Sequence, residues 1–289
     1  MIEWPDKLVN DLARRRAIIV IGSGVSRHST GEGDVRPPTW KQFLEKAMEE
    51  CPDRKSLKTV EEAISSGDYL HACEWLKKRY EEGWIPYLRR TFSRPAFKPS
   101  EIHQEILNLD CRIVFSLNFD DIYERHASSI NKRSYIVKSY YDTDVAEFLR
   151  GNDRYIIKVH GNLNSPHNLI FSQKDYSEAR IKHSAFYQAF DAALLTHTFL
   201  FIGSGHSDPD INLVLENQNF SFPAQDPHYF LGASGFSEDR KASLRENRKL
   251  KVLEYDPADE FHSGLVDEIK ELAARVESER YDISQLTSW

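Results

Sequence analysis

Arg112-Ile113-Val114-Phe115-Ser116-Leu117-Asn118-Phe119-Asp120 and, about forty residues on, Tyr155-Ile156-Ile157-Lys158-Val159-His160-Gly161-Asn162 decide how this chain folds. In each, a short apolar run reads as a buried strand and gives way at once to polar residues. Two further runs repeat the form. Ala17-Ile18-Ile19-Val20-Ile21 feeds Gly22-Ser23-Gly24-Val25-Ser26, and Thr198-Phe199-Leu200-Phe201-Ile202 feeds Gly203-Ser204-Gly205-His206. In an open parallel α/β sheet a ligand binds outside the carboxyl ends of the strands. The Gly, Ser, Asn, Asp and His residues that close these runs therefore converge where a nucleotide would sit.

Outward from these runs, residues 5–16 read as a helix with Leu8, Val9 and Leu12 on one face. From Thr39 to about Thr91 the pattern is helical: Trp40, Phe43, Leu44, Ala47 and Met48, then Val60, Ala63 and Ile64, then Tyr69, Leu70, Cys73 and Leu76. Pro95 and Pro99 close this insert. Strands are expected near 17–21, 112–116, 135–139, 155–159, 198–202, 228–232 and 251–255. Helices are expected between them, including Ser184–Thr196, Asp210–Glu216, Ser237–Arg248 and a last one over about 260–278. The predicted fold class is α/β, a doubly wound, parallel, Rossmann-like sheet. Residues 1–289 form one domain, and the insert of about 39–91 forms a small cap subdomain beside the sheet's carboxyl edge.

Composition narrows the functional classes. With 289 residues, 40 % of them hydrophobic, the chain can bury a substantial core. Its apolar runs reach about five or six residues, far short of the roughly 20 that span a bilayer, and Met1-Ile2-Glu3-Trp4-Pro5-Asp6 has no secretory pattern. Three scattered cysteines, Cys51, Cys73 and Cys111, build neither a disulfide framework nor a zinc site. A cytoplasmic protein without a membrane segment is expected. The net charge of −7 argues against broad nucleic-acid binding. Arg14-Arg15-Arg16 reads as a solvated helix C-terminus, and the stretch from Arg240 to Lys251 as a solvated helix face.

The motifs each carry two readings. Gly22-x-Gly24-x-Ser26 would let backbone approach a pyrophosphate, or would simply serve turn geometry. A dehydrogenase fingerprint is disfavoured, because Arg27 fills the third glycine position and Thr39–Glu50 reads as helix where an acidic strand end should grip a ribose. Asn118 and Asp120 suit a site but also suit a turn, Asp120 being able to cap the next helix with Glu124. His160, between a strand and a glycine, would point its ring above the sheet. Gly203-Ser204-Gly205-His206-Ser207-Asp208 lacks the first glycine of a nucleophile elbow. Asp208-Pro209 reads as the N-cap and first residue of a helix, and Gly203, Ser204 and Gly205 as a second phosphate- or ribose-contacting turn. No His, Cys or carboxylate cluster has metal-ligand spacing.

Taken in order, these motifs resemble the sirtuin-like family, whose pattern runs G-A-G-x-S, a helical insert, N-x-D, a strand ending in H-G, then G-T/S-S. Here the series is Gly22-Ser23-Gly24-Val25-Ser26, the insert, Asn118-Phe119-Asp120, His160-Gly161 and Gly203-Ser204, spread over about residues 17–256. The four-cysteine zinc module of sirtuin deacylases is missing. So is their G-I-P-D-F-R segment, where Arg27-His28-Ser29-Thr30-Gly31 stands instead. These departures make the chain similar to the sirtuin-like NADases of bacterial anti-phage defence. With no room for a fused sensor domain, it is most similar to the short forms encoded with a HerA-type DNA translocase ATPase.

The resemblance implies that NAD+ is bound as substrate, without a metal, and cleaved to nicotinamide and ADP-ribose. It implies Asn118 and His160 as catalytic residues, the latter a neutral imidazole near its ordinary pKa acting as general base. Asp120 would orient nicotinamide or ribose, and Gly22, Ser23, Gly24, Ser26, Gly203 and Ser204 would bind the rest of the dinucleotide. Partners implied are further copies of the chain and the HerA-type ATPase, with no direct nucleic-acid contact; the insert and the last helix are candidate assembly surfaces. Two other classes stay open: a non-catalytic sensor of NAD or ADP-ribose, and an NAD-dependent protein deacylase.

Overall fold

The computed structural model describes residues 1–130, 134–204 and 208–286. Seven strands form one sheet: β1 (Ala17–Ile21), β2 (Ile113–Ser116), β3 (Tyr135–Ser139), β4 (Arg154–Lys158), β5 (Thr198–Ile202), β6 (His228–Ala233) and β7 (Leu250–Tyr255). Their order is β3-β4-β2-β1-β5-β6-β7, every pair parallel. From β1 the chain goes to β2, on to β3 at the edge and back to β4 between them, and then crosses to β5 on the other side of β1, so β1 is the switch point at which such sheets bind ligands.

The helices follow in chain order: α1 (Asp6–Ala13), α2 (Ser23–Ser26), α3 (Trp40–Glu49), α4 (Lys58–Ser66), α5 (Tyr69–Tyr80), α6 (Trp84–Phe92), α7 (Glu101–Asn108), α8 (Ile122–Ser129), α9 (Gln173–Lys182), α10 (Ser184–Thr196), α11 (Pro209–Ser221), α12 (Glu238–Arg248) and α13 (Ser263–Gln285). Both faces of the sheet are covered, which is why β1 is apolar throughout instead of alternating. Ile19 and Ile21 pack with Leu8 and Leu12 of α1, Ile106 of α7 and Ile269 of α13. Ile18 and Val20 face the other way, toward Phe186 and Phe190 of α10 and Leu215 of α11. No helix among the described residues is long and apolar enough to cross a membrane.

The insert forms α3 to α6 with its own core, including Phe43, Val60, Leu76 and Tyr87. Phe119, Leu163, Leu169 and Phe171 from the sheet side belong to that same cluster, so apolar packing fastens the cap to the sheet. Thr39 starts α3 with a reciprocal capping box: its Oγ1 accepts from the Gln42 N–H at 3.2 Å, and Gln42 Oε1 accepts from the Thr39 N–H at 3.0 Å.

Three boundaries differ from the sequence reading for identifiable reasons. The first helix stops at Ala13 because Arg15 turns left-handed, φ 56°. The helix expected over Asp210–Glu216 runs to Ser221, since Gln218 and Asn219 spend their amides on the Asp191 and Glu246 carbonyls. The last helix begins at Ser263, after His262 at φ 60°, and continues to Gln285. Its polar end is held by buried Ile283 and by Arg280, which donates to the Leu12 and Leu109 carbonyls.

The β1 and β5 turns meet backbone to backbone. The Gly24 N–H donates to the Gly203 carbonyl at 2.8 Å, and Gly203 has φ +59°. A Cβ on Gly203 would lie 2.6 Å from the Val25 nitrogen, whereas Gly151, at φ +68°, has open space around it. Gly151→Ala is expected to cost the backbone strain alone, about 1–2 kcal/mol. Gly203→Ala is expected to cost a further 1–3 kcal/mol or so from overpacking. Thermal unfolding of the two variants side by side measures the difference.

Candidate active site

The carboxyl ends of β4, β2, β1 and β5 open into a cleft of about 470 Å³. The sheet side contributes Gly22, Ser23, Ser26, Asn118, Asp120, His160, Ser204 and Asp208, and the cap contributes Pro37 to Lys41, Phe43, Asp68 to Leu70 and Phe92. Gly24 and Gly203 do not line it. They sit behind it, where they allow the two turns to touch, so turn packing accounts for them. The expected open Gly-Ser-Gly turn is instead the single-turn helix α2, N-capped by Gly22. Of the turn after β5, Gly205, His206 and Ser207 lie outside the described residues.

Asn118 is 7 % exposed, and its amide donates to the Gly22 carbonyl at 3.0 Å and to Ser26 Oγ at 2.9 Å. Ser26 Oγ donates onward to Asp120 Oδ2 at 2.8 Å, and Asp120 Oδ1 accepts from the Ile122 N–H at 3.2 Å. The side chains of Asn118, Ser26 and Asp120 thus form one chain across the β1 and β2 ends. Asp120 does serve the start of α8, but Glu124 is not part of that cap. Glu124 pairs with Lys158, a lysine with no exposed surface whose Nζ also donates to the Asp120 carbonyl at 2.5 Å. Burial raises the Glu124 carboxyl above its usual range, against the opposing pull of Lys158. This buried pair lies under the Asn118–Asp120 loop and fixes its backbone.

His160 follows β4, and its ring points into the cleft. Nδ1 lies 3.1 Å from the Leu117 carbonyl and Nε2 lies 3.0 Å from Asp208 Oδ2. Tyr176 of α9 donates to the same carboxylate oxygen at 2.9 Å and sets its ring edge-on to the imidazole, 76° between planes. Burial by itself would lower the His160 pKa. The charge and hydrogen bond of Asp208, with Asp210 behind it, outweigh burial and hold it above the ordinary value. The expected neutral imidazole near its ordinary pKa is therefore corrected, because Asp208 stands against the ring. Burial raises Asp208 in turn, and the His160 charge and hydrogen bond bring it to a net value below the usual range. Asp208 is also the helix cap expected of it, Oδ1 accepting from the Ile211 N–H at 2.9 Å.

Gly161 turns the chain away from the cleft at φ +81°, and Asn162 is spent on Ser139, Tyr141 and its own loop. Beside the polar groups, Phe119 and Phe171 stack at 4.1 Å, with Trp40 edge-on to both and the Phe119 ring 6.3 Å from that of His160. The cleft thus has an aromatic wall alongside amide, hydroxyl, imidazole and carboxylate groups. Among the described residues no group of three or more His, Cys, Asp or Glu side chains could hold a metal ion. Cys51, Cys73 and Cys111 are separately buried thiols.

This architecture defines a Rossmann-like α/β protein with a ligand cleft at the sheet's switch point. The family described as SIR2-like domain matches residues 112–253 of this chain. Curated relatives extend the likeness. NAD(+) hydrolase ThsA of Acinetobacter baumannii is 22 % identical over 225 residues, which is 78 % of this chain and 44 % of its own. NAD(+) hydrolase ThsA of Bacillus cereus is 26 % identical over 136 residues, 46 % of this chain and 28 % of its own. Defense-associated sirtuin 2 of Bacillus subtilis is 22 % identical over 221 residues, 74 % of this chain and 20 % of its own. The chain thus spans less than half the length of each of these relatives.

Breaking the pair under the site should be more costly than removing it. Lys158→Met leaves Glu124 buried alone and is expected to destabilise the fold by about 3–5 kcal/mol. The double variant Lys158→Met/Glu124→Leu should recover most of that loss. Urea midpoints of the three proteins measure it, and a double variant no better than the single one would contradict the account.

Proposed function

We propose that the chain is an NAD+ glycohydrolase, cleaving the bond between nicotinamide and ribose to give nicotinamide and ADP-ribose in anti-phage defence. The observation that carries this reading is the meeting of Asn118 and His160 in one cleft with the β1 and β5 turns. The names of the curated relatives support it.

Nicotinamide leaves a cationic pyridinium, so its departure needs no protonation. The transition state gains oxocarbenium character at the ribose, as in other glycosyl transfers. The chain's task is then to hold the ribose, stabilise the developing charge and deliver water. Asn118, with its amide tethered to Gly22 and Ser26, presents its carbonyl side to the ribose or the attacking water. His160, once it has released its Nε2 proton, takes one from water or a ribose hydroxyl. Asp120 orients ribose or nicotinamide with the lone pairs that Ser26 and Ile122 leave unused. Ser23, Ser26, Ser204 and the Gly22 backbone bind the phosphates and the second ribose, Gly24 and Gly203 shaping the turns behind them. The aromatic wall of Trp40, Phe119 and Phe171 takes a flat ring. Assembly with further copies of the chain and with a HerA-type ATPase belongs to the same proposal and rests on the family resemblance.

The test incubates the protein with NAD+, alone and with a HerA-type ATPase and DNA, and follows nicotinamide and ADP-ribose by chromatography. His160→Ala and Asn118→Ala are each expected to lower turnover by about 10²–10⁴-fold, the range for loss of a general acid–base group. Undiminished turnover in His160→Ala would overturn its assignment. Binding of NAD+ with no product under any condition would transfer the reading to a sensor.

A further inference from the structure

The hydrogen-bond inventory around His160 has a consequence for proton transfer. The Leu117 carbonyl can only accept, and so can an ionised carboxylate. Nδ1 lies 3.1 Å from that carbonyl, and Nε2 lies 3.0 Å from Asp208 Oδ2 and 3.4 Å from the Tyr176 hydroxyl; with the carboxylate the nearer partner and Tyr176 donating to it, the arrangement favours a proton on each ring nitrogen. Such a ring is an imidazolium with no lone pair to offer. The His160 and Asp208 side chains are 7 % and 10 % exposed, so water does little to loosen the contact. Tyr176, donating to the same oxygen, is an O–H whose own pKa is driven well above its usual value, by burial first and by Asp208 second.

We propose that Asp208 is a positioning residue of this site: its carboxylate fixes the His160 ring by Nε2 and keeps the proton on it. Proton transfer in the cleft then belongs to the pair and not to His160 alone. Resting on the glycohydrolase reading, this adds a residue whose helix-capping role had seemed its whole purpose.

Among the described residues, the groups around the ring are few. From α11 come Asp208, which touches it, and Asp210, which is neutralised by Arg180 of α9 and accepts from Tyr187 of α10. From α9 comes Tyr176, and from the β2 end come the Leu117 carbonyl and the Phe119 ring. Asp120, beyond Asn118, is engaged by Ser26. Below the floor, Lys158 is paired with Glu124. Asp208 is thus the carboxylate in direct contact with the imidazole. Before His160 can accept a proton, the Nε2–H must depart to solvent, leaving Nδ1–H on the Leu117 carbonyl and the Nε2 lone pair facing the cleft. The reactive form therefore accumulates only as pH rises through a midpoint that Asp208 has moved upward.

Asp208→Asn separates charge from capping, because Asn is as good an N-cap as Asp. The experiment records the His160 ring signal by NMR across pH in the full chain, and the pH profile of kcat/KM for nicotinamide release, which reports groups of the free enzyme. In Asp208→Asn the ring midpoint and the ascending limb of kcat/KM should both fall by about 1–3 units, the usual effect of losing an adjacent opposite charge. In Tyr176→Phe, which keeps the carboxylate, the midpoint should stay or rise. An unmoved midpoint in Asp208→Asn, or an equal fall in Tyr176→Phe, would overturn the proposal. Should Asp208→Asn not fold, Asp208→Ser, which also caps, replaces it with the same expected fall. If the wild type makes no nicotinamide under any condition, the glycohydrolase reading fails while the NMR titration still decides the pair.

Discussion

The site depends on one backbone contact, the crossing of the β1 and β5 turns at the centre of the sheet. A Cβ on Gly22 would lie 2.4 Å from the Ser204 Cα, and one on Gly24 would lie 2.8 Å from the Gly203 Cα. These distances leave no room for side chains, and the Gly24–Gly203 hydrogen bond locks the crossing. Once the two turns touch, α2 starts at Ser23 and presents Ser26 to Asn118. The carbonyl of Gly22 is then placed to take the other Asn118 proton. A methyl group at either turn would shift all of these together.

The polar groups of the cleft are held by interactions that face away from it. Lys158 grips the Asp120 carbonyl from below, Leu117 and Asp208 grip the His160 ring at its two nitrogens, and Ser26 links Asn118 to Asp120. Each residue offered to a ligand is therefore oriented beforehand, and binding need not spend energy ordering it. The cost is borne in burial: one lysine, three carboxylates and an imidazole are largely taken out of water and stay there because each is paired or hydrogen-bonded.

Much of this was legible in the sequence because strand ends announce themselves. A short, β-branched apolar run such as Ala17–Ile21, closed by glycine, reads as a doubly covered strand, and the Gly, Ser, Asn and His that follow such runs fall at the sheet's carboxyl edge. The helical period of 39–91 likewise foretold the cap. What could not be read was pairing across the chain. Asp208 had a sufficient local explanation as a helix cap before Pro209, and nothing local connects it to His160, 48 positions earlier in the numbering. Tyr176 sits in a helix whose sequence is mostly polar. Lys158, within an apolar strand, was the one visible anomaly: a charge in a buried strand needs a partner, and searching for it would have led to Glu124. Turn packing and phosphate contact also could not be told apart at Gly24 and Gly203, because a glycine that lets two turns touch looks in sequence like one that admits a phosphate.

The four strands that carry the cleft's polar groups are inner strands of the sheet, with β3 and β7 taking the edges. Inner strands are hydrogen-bonded on both sides and are the last to open in native-state fluctuations. The cap, by contrast, is fastened through Trp40 and Phe43 packing on Phe119 and Phe171 of the sheet side, contacts that are apolar and without fixed direction. The cleft is therefore mechanically lopsided, a rigid bed beneath a wall that can slide. Adjustment to an incoming molecule falls to the cap, and the reacting groups stay where the sheet has put them.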